Sequence, residues 1–292
     1  MAYACIDVGS NTTRLLVAEL RAGSLREVAS QRVFTRLGKA LLDEGSIPRG
    51  KVEETARVVA AQAKLARDLG VVALDVVGTA VVRDAPNRAE LEAAVGEAAQ
   101  APMRVLSGEE EARLAFLGVT STLPPRANGR VVVVDVGGWS TEVVLGTRAS
   151  GVSWSESFRV GSGLLSDVYL RSDPPGRREL AAVMAHVSEV FAPLHLPRPE
   201  RALAVGGSAT SVRRIVGKGL SRPALERSLQ LLAGSKCAEV AARIDIHPER
   251  VRLMPAGISI LHELSRRLDV ELELGNGGLR EGVVLELAAR AG

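Results

Sequence analysis

The residues of this chain best suited to chemistry are acids set beside glycine turns and small hydroxyls. The clearest group lies in Val131–Thr147, VVVVDVGGWSTEVVLGT. An apolar run ends in Asp135, Gly137 and Gly138 follow, then Ser140, Thr141 and Glu142. A carboxylate at a strand end, next to backbone that a ligand can approach closely, suits a metal–phosphate site. The start of the chain repeats the pattern as ACIDVGSNTTRLLVAEL. At a constant offset Asp7 aligns with Asp135, Gly9 with Gly137, Ser10 with Gly138, Thr12 with Ser140, Thr13 with Thr141 and Leu15 with Val143. Either copy alone reads as an ordinary hairpin turn, since Asp, Gly, Ser and Asn are turn formers. Two copies in register read as related half-molecules, each presenting a phosphate hairpin to a shared cleft. In the first, the backbone and hydroxyls of Gly9-Ser10-Asn11-Thr12 would cradle phosphate oxygens.

Other residues fit the same chemistry. Gly78-Thr79-Ala80 follows a buried strand, and Arg83 lies just beyond, where a guanidinium can take a phosphate bidentately. Ser107 opens a helix whose first turn carries Glu109, Glu110 and Glu111. All three complement a helix N-terminus, and one facing the cleft would serve as a general base. Helix phase puts Ala112, Ala115, Phe116 and Val119 inside, with Glu111 the acid nearest that face. Gly206-Gly207-Ser208, between a strand and a helix, is a third place where backbone donors meet an anion. His186, His195, His247 and His262 have no metal-ligand spacing, and there is no GxSxG or GxxxxGK[ST] motif. Carboxylates, hydroxyls, backbone donors and arginines are the toolkit of metal-assisted phosphoryl transfer.

These residues need a scaffold. The chain has 292 residues, which favours two domains over one core. Hairpin-then-βα alternation occurs twice and points to two α/β domains, residues 1–121 and 122–292, with a polar break at Thr120–Gly129 around Pro124-Pro125 and a last helix that packs back on the first domain. Pro48–Leu69 reads as an amphipathic helix, Glu27–Leu37 as a strand, and Gly161-Ser162-Gly163 as a flexible turn. Aromatic residues make up 3% of the chain, which leaves no stacking platform for single-stranded nucleic acid. No apolar run reaches the ~18 residues of a membrane span, and no signal peptide is evident. Cys5 and Cys237 read as reduced and structural, consistent with a cytoplasmic protein.

The ordered motifs IDVGSNTTRLLVAEL, GTAVVRDAPNR, VLSGEEEARLAFLGV, VVVVDVGGWSTEVVLG, LAVGGSAT and GGLREGVVLEL resemble the exopolyphosphatase / guanosine pentaphosphate phosphohydrolase (Ppx/GppA) family. The resemblance spans nearly the whole chain, in a short form without a C-terminal helical domain. It implies two actin-like (ribonuclease H-like) domains flanking a cleft. It also implies Glu111 as catalytic base, Asp135 and Glu142, with Asp7, at a Mg²⁺ (alternatively Mn²⁺), and phosphate binding by Gly9, Ser10, Asn11, Thr12, Arg83, Gly137, Gly138, Ser140, Thr141, Gly207 and Ser208. The chain departs from the family twice. Trp139 stands where a third glycine is usual, and can narrow the channel, stack on a base or point outward. After Gly161-Ser162 the family often carries an arginine before Leu-Thr-Glu, where this chain has Leu164-Leu165-Ser166.

The activity so implied is removal of the terminal phosphate from inorganic polyphosphate by a glutamate-activated water. Hydrolysis of guanosine pentaphosphate is one alternative and a catalytically weak polyphosphate or nucleotide sensor another. Neither nucleic acid nor membrane is expected as a partner, and a homodimer is compatible with the resemblance.

Overall fold

The computed structural model describes residues 1–21, 23–124, 129–217 and 219–291. Residues 125–128 of the expected break, Pro125 among them, lie outside that set. Contacts divide the chain into two compact units, Met1–Leu123 with Gly277–Gly292, and Pro124–Asn276.

The first unit contains β1 (Ala2–Val8), β2 (Thr12–Arg21), β3 (Ser24–Phe34), α1 (Leu37–Glu44), α2 (Arg49–Asp68), β4 (Ala73–Gly78), α3 (Ala80–Asp84), α4 (Arg88–Ala99), β5 (Met103–Val105) and α5 (Gly108–Thr120). The second contains β6 (Val131–Val136), β7 (Thr141–Thr147), β8 (Gly151–Phe158), α6 (Ser162–Tyr169), α7 (Arg177–Val190), β9 (Arg201–Val205), α8 (Gly206–Val216), β10 (Gly219–Leu220), α9 (Arg222–Ala233), α10 (Cys237–Ile244), α11 (Pro248–Arg267) and β11 (Leu272–Leu274). The chain then returns to the first unit as α12 (Leu279–Ala291).

The duplication seen in the sequence is a duplication of topology. The first sheet runs β3-β2-β1-β4-β5, and the second runs β10-β11-β9-β6-β7-β8. Each is an antiparallel three-strand meander continued by parallel strands, with β10 added at the far edge of the second. Val131–Val134 lack alternation because both faces of β6 are covered, and all four are buried. In α2 the buried positions Val52, Thr55, Val59, Gln62, Ala63 and Ala66 recur at helical spacing. Buried Gln62 donates from Nε2 to Thr13 O at 3.3 Å, while its Oε1 is buried without a hydrogen-bond partner.

Three expected elements differ. β3 starts three residues earlier than the sequence pattern and ends at Phe34, because Leu37 opens α1 with its side chain buried. The Gly161-Ser162-Gly163 stretch is the start of α6, not a loose turn. Its glycines are there for close approach: a Cβ on Gly161 would lie 2.5 Å from Trp139 N. Gly206-Gly207-Ser208, expected between a strand and a helix, is itself the first turn of α8.

In the first unit Tyr3, Cys5, Leu16 and Ala18 share one core with Leu114 of α5 and Val283, Val284 and Ala288 of α12. The two helices approach so closely that only glycine fits where they cross. A Cβ on Gly282 would sit 1.9 Å from Leu114 O, and one on Gly118 2.0 Å from Gly278 O. Both obstacles are backbone and cannot turn aside. Gly282→Ala is therefore expected to destabilise the protein by about 1–3 kcal/mol or more in urea unfolding. Gly50→Ala, on α2 with nothing within 4 Å of the new methyl, should be neutral or stabilising by up to about 1 kcal/mol. Equal effects of the two changes would refute the close packing.

Candidate phosphate and metal site

The two hairpins carry the same turn. Gly9 N donates to Thr12 O at 3.1 Å, and Gly137 N to Ser140 O at 3.0 Å. A Cβ on Gly9 or Gly137 would lie 3.2 or 3.0 Å from those carbonyls, so a side chain there would crowd the turn. None of Gly9, Gly137, Gly138 or Trp139 has a positive φ. The third position of the second turn thus does not require glycine, which is why tryptophan fits.

In the second unit the β6–β7 register sets Asp135 directly opposite Glu142. Directly opposed residues project from the same face, with Cβ atoms about 4.5–5.5 Å apart. Glu142 is only 2% exposed and its Oε1 accepts from Ser157 Oγ at 2.7 Å. Gly206 closes on the same acid. Its φ is +85°, and a Cβ would be 2.4 Å from Asp135 Oδ1. α8 starts at this glycine with no side chain capping it, so first-turn N–H groups are available to an anion. One of the expected phosphate-binding hydroxyls is committed elsewhere: Thr141 is fully buried and its Oγ1 donates to Val160 O at 2.5 Å. Ser208 is buried, with its side chain packed close to Gly257 of α11. Ser140 is also buried.

In the first unit the same two hairpin positions hold Asp7 and Arg14. An acid faces a base where the second hairpin opposes two acids. Asp7 Oδ1 is buried without a hydrogen-bond partner, and so is Arg14 Nε. Burial raises the Asp7 pKa above 3.8, against the opposing pull of Arg14 and then Arg280. Arg14 is pushed down to about 10 by burial first, then by Arg280 and Arg32. The turn itself is pinned from outside: Arg36 N donates to Asn11 O at 3.1 Å and Gly38 N to Ser10 O at 2.8 Å. Thr79 joins it, donating from N to Val8 O at 3.4 Å. Thr79 precedes α3, which carries Arg83.

Arg83 Nη1 donates to Leu106 O at 2.6 Å and to Glu111 Oε2 at 3.3 Å. Among the three glutamates that open α5, Glu111 alone is buried, at 7% exposure. Glu110 closes a capping box with Ser107, and Glu109 is exposed. Glu111 thus follows the helix phase, and Arg83 holds its carboxylate in place while keeping only part of its own fork for a phosphate.

Sequence reasoning missed several neighbours of these groups. Arg14 was signalled by the internal alignment, where it is the counterpart of Glu142. Arg250 of α11 grips the third loop, with Nε donating to Ser211 Oγ at 2.9 Å and Nη2 to Gly207 O. Arg280 donates to Leu15 O at 3.3 Å. Nothing in the local sequence marks either arginine, because both meet their partners only through the fold.

Among the described residues no group of three or more His, Cys, Asp or Glu side chains could hold a metal ion. The Asp135–Glu142 pair nevertheless fits one. It is an all-oxygen donor set on one face of the hairpin, and Mg²⁺ keeps several waters of its own. No helix among the described residues is long and apolar enough to cross a membrane.

Comparison with known proteins gives a consistent picture. The model of the Ppx/GppA phosphatase family matches residues 16–291. The chain is 30% identical to exopolyphosphatase 1 of Mycobacterium tuberculosis over 98% of its own length and 88% of that protein. The solved structure of the Aquifex aeolicus Ppx/GppA family member superposes with a TM-score of 0.84 at 26% identity, covering 100% of this chain and 98% of that one. An exopolyphosphatase structure from Cytophaga hutchinsonii shares the fold, with a TM-score of 0.88 at 21% identity over 99% and 98% of the two chains.

The raised pKa of Asp7 has a stability consequence. Between 3.8 and the folded-state value, the folded protein binds the proton that the unfolded chain releases, so stability falls as pH rises through that window. Asp7→Asn is expected to raise the urea midpoint at pH 7, with the gain shrinking as pH approaches 3.8. A lower midpoint for the variant at pH 7 would contradict the unfavourable burial.

Proposed function

The chain belongs to the Ppx/GppA phosphatase family, a family of hydrolases with two actin-like domains, and we propose that it is an exopolyphosphatase that removes the terminal phosphate of inorganic polyphosphate. The observation that carries the reading is Glu111, buried at the start of α5 and oriented by Arg83. A carboxylate so placed can hold a water and take its proton. The water oxygen bonds to the terminal phosphorus while the bridging P–O bond breaks. Orthophosphate leaves, and the chain is shorter by one unit. In the first unit the backbone N–H groups of Gly9–Thr12 and the remaining Arg83 donors, and in the second those of Gly137–Gly138 and the first turn of α8, are suited to phosphoryl oxygens. Asp135 and Glu142 would hold Mg²⁺, or Mn²⁺ in its place, directly or through water, and Asp7 is the corresponding carboxylate of the first unit. When bound, the ion supplies positive charge against the phosphoryl oxygens.

The substrate assignment is supported by a relative that carries the name exopolyphosphatase 1. Guanosine pentaphosphate ends in the same anhydride. Trp139 would favour it by stacking on guanine, but the residue is only 3% exposed.

The test is phosphate release from long-chain polyphosphate by the purified protein, with Mg²⁺ and with EDTA, beside Glu111→Gln. Metal-dependent release is expected from the wild type. The variant should be about 10²–10⁴-fold slower while still binding polyphosphate. Undiminished release by Glu111→Gln would remove Glu111 from the mechanism, and absence of release by the wild type would remove the activity.

A further inference from the structure

Trp139 is buried, yet it has an exposed residue on top of it. The Arg159 guanidinium carbon stands 5.7 Å from the centroid of the Trp139 ring, in cation–π range. Arg159 is exposed and so covers the ring from the solvent side. The two residues come from different loops, but those loops are fastened together. Ser162 donates to Gly137 O from both N (3.0 Å) and Oγ (3.1 Å), and Leu164 N donates to Gly138 O at 2.8 Å. Thr141 Oγ1 reaches back to Val160 O. Gly161 is packed against Gly138 and Trp139 N so tightly that no Cβ fits. The backbone that carries Arg159 is therefore fixed against the Gly137–Ser140 turn.

This arrangement joins the two departures seen in the sequence. A tryptophan occupies the phosphate turn, and leucine occupies position 164 where the resemblance leads one to look for an arginine. Leu164 lies in the first turn of α6, five residues beyond Arg159, and is fastened to the same turn through its N–H to Gly138 O. Resting on the exopolyphosphatase reading, we infer that Arg159, seated on Trp139, is the cation this turn presents to the phosphate chain, and that Trp139 is its positioning residue. A guanidinium carries its N–H donors in a planar fork that suits bidentate phosphate binding, and a cation–π contact does not use up those donors. The ring also restricts a side chain that would otherwise give up much rotamer freedom on binding. The contact is to charge, without base recognition, so it favours a long polyanion over a small phosphate ester.

The inference is tested on the full chain by steady-state phosphate release from long-chain polyphosphate. Arg159→Ala should raise KM about tenfold, the scale of one charge-assisted contact, with much less effect on kcat and a shallower dependence of KM on salt. Trp139→Leu should raise KM similarly and add little when combined with Arg159→Ala, whereas Trp139→Phe should retain most of the affinity. Leu164→Arg should recover affinity in the Arg159→Ala background. In a Trp154→Phe protein, which leaves Trp139 as the sole tryptophan, polyphosphate should change the emission. An active wild type whose KM and salt dependence are unchanged by Arg159→Ala overturns the inference and leaves the function standing. A wild type that binds polyphosphate without releasing phosphate overturns the function, and the same variants then test the inference through the dissociation constant. A wild type that neither binds nor releases overturns both.

Discussion

Asp135 and Glu142 face each other across the end of an antiparallel hairpin, and the glycine turn and the start of α8 are built around this pair of acids. Like charges directly opposed weaken a sheet, and burial of Glu142 sharpens the cost. The surrounding structure accommodates both acids and avoids neither. Ser157 donates to Glu142 from β8. Gly206, in a left-handed conformation, brings the start of α8 against Asp135 without the Cβ that would collide with it. Two carboxylates on one face, with helix N–H groups beside them, are the donor chemistry on which the proposed cation and phosphate site rests.

The first hairpin shows what the same backbone does with other side chains. Its turn closes through the equivalent hydrogen bond, and its strands keep the equivalent register. Arg14 in place of the second acid gives Asp7 an opposite charge, and Arg280 adds another. One geometry thus opposes two acids in one copy and an acid and a base in the other, where burial still outweighs the attraction of the arginines for Asp7. Asp7 retains a buried oxygen without a partner, a strained acceptor that water or substrate can satisfy. Divergence of the copies lies in side-chain charge, while the turn that approaches phosphate is shared.

The legible part of the molecule was the local part. Strand, turn and strand are contiguous, so the repeat could be aligned residue by residue, and the two sheets follow the repeat. Helix phase picked out Glu111 because one turn of helix decides which of three neighbouring acids is buried. What the sequence did not show depends on contacts between distant segments. Thr141 looks like a phosphate-binding hydroxyl until Val160 O is seen to accept from it. Trp139 looked like an obstruction because a third glycine suggests a positive φ, and the backbone there has none. Gly161-Ser162-Gly163 looked loose because close packing against Gly138 leaves no trace in composition. Arg250 and Arg280 reach their loops only through α11 and the chain's return to the first unit.

The most direct test of the opposed carboxylates is the thermal midpoint of the wild type and of Glu142→Gln, each in EDTA and across a Mg²⁺ titration. If the pair is a cation site, Mg²⁺ raises the wild-type midpoint saturably, because an ion that binds only the folded state stabilises it by mass action. Glu142→Gln should start from a higher midpoint in EDTA, with the repulsion relieved, and gain little from the metal. A wild-type midpoint indifferent to Mg²⁺, or an equal gain in the variant, would contradict the assignment.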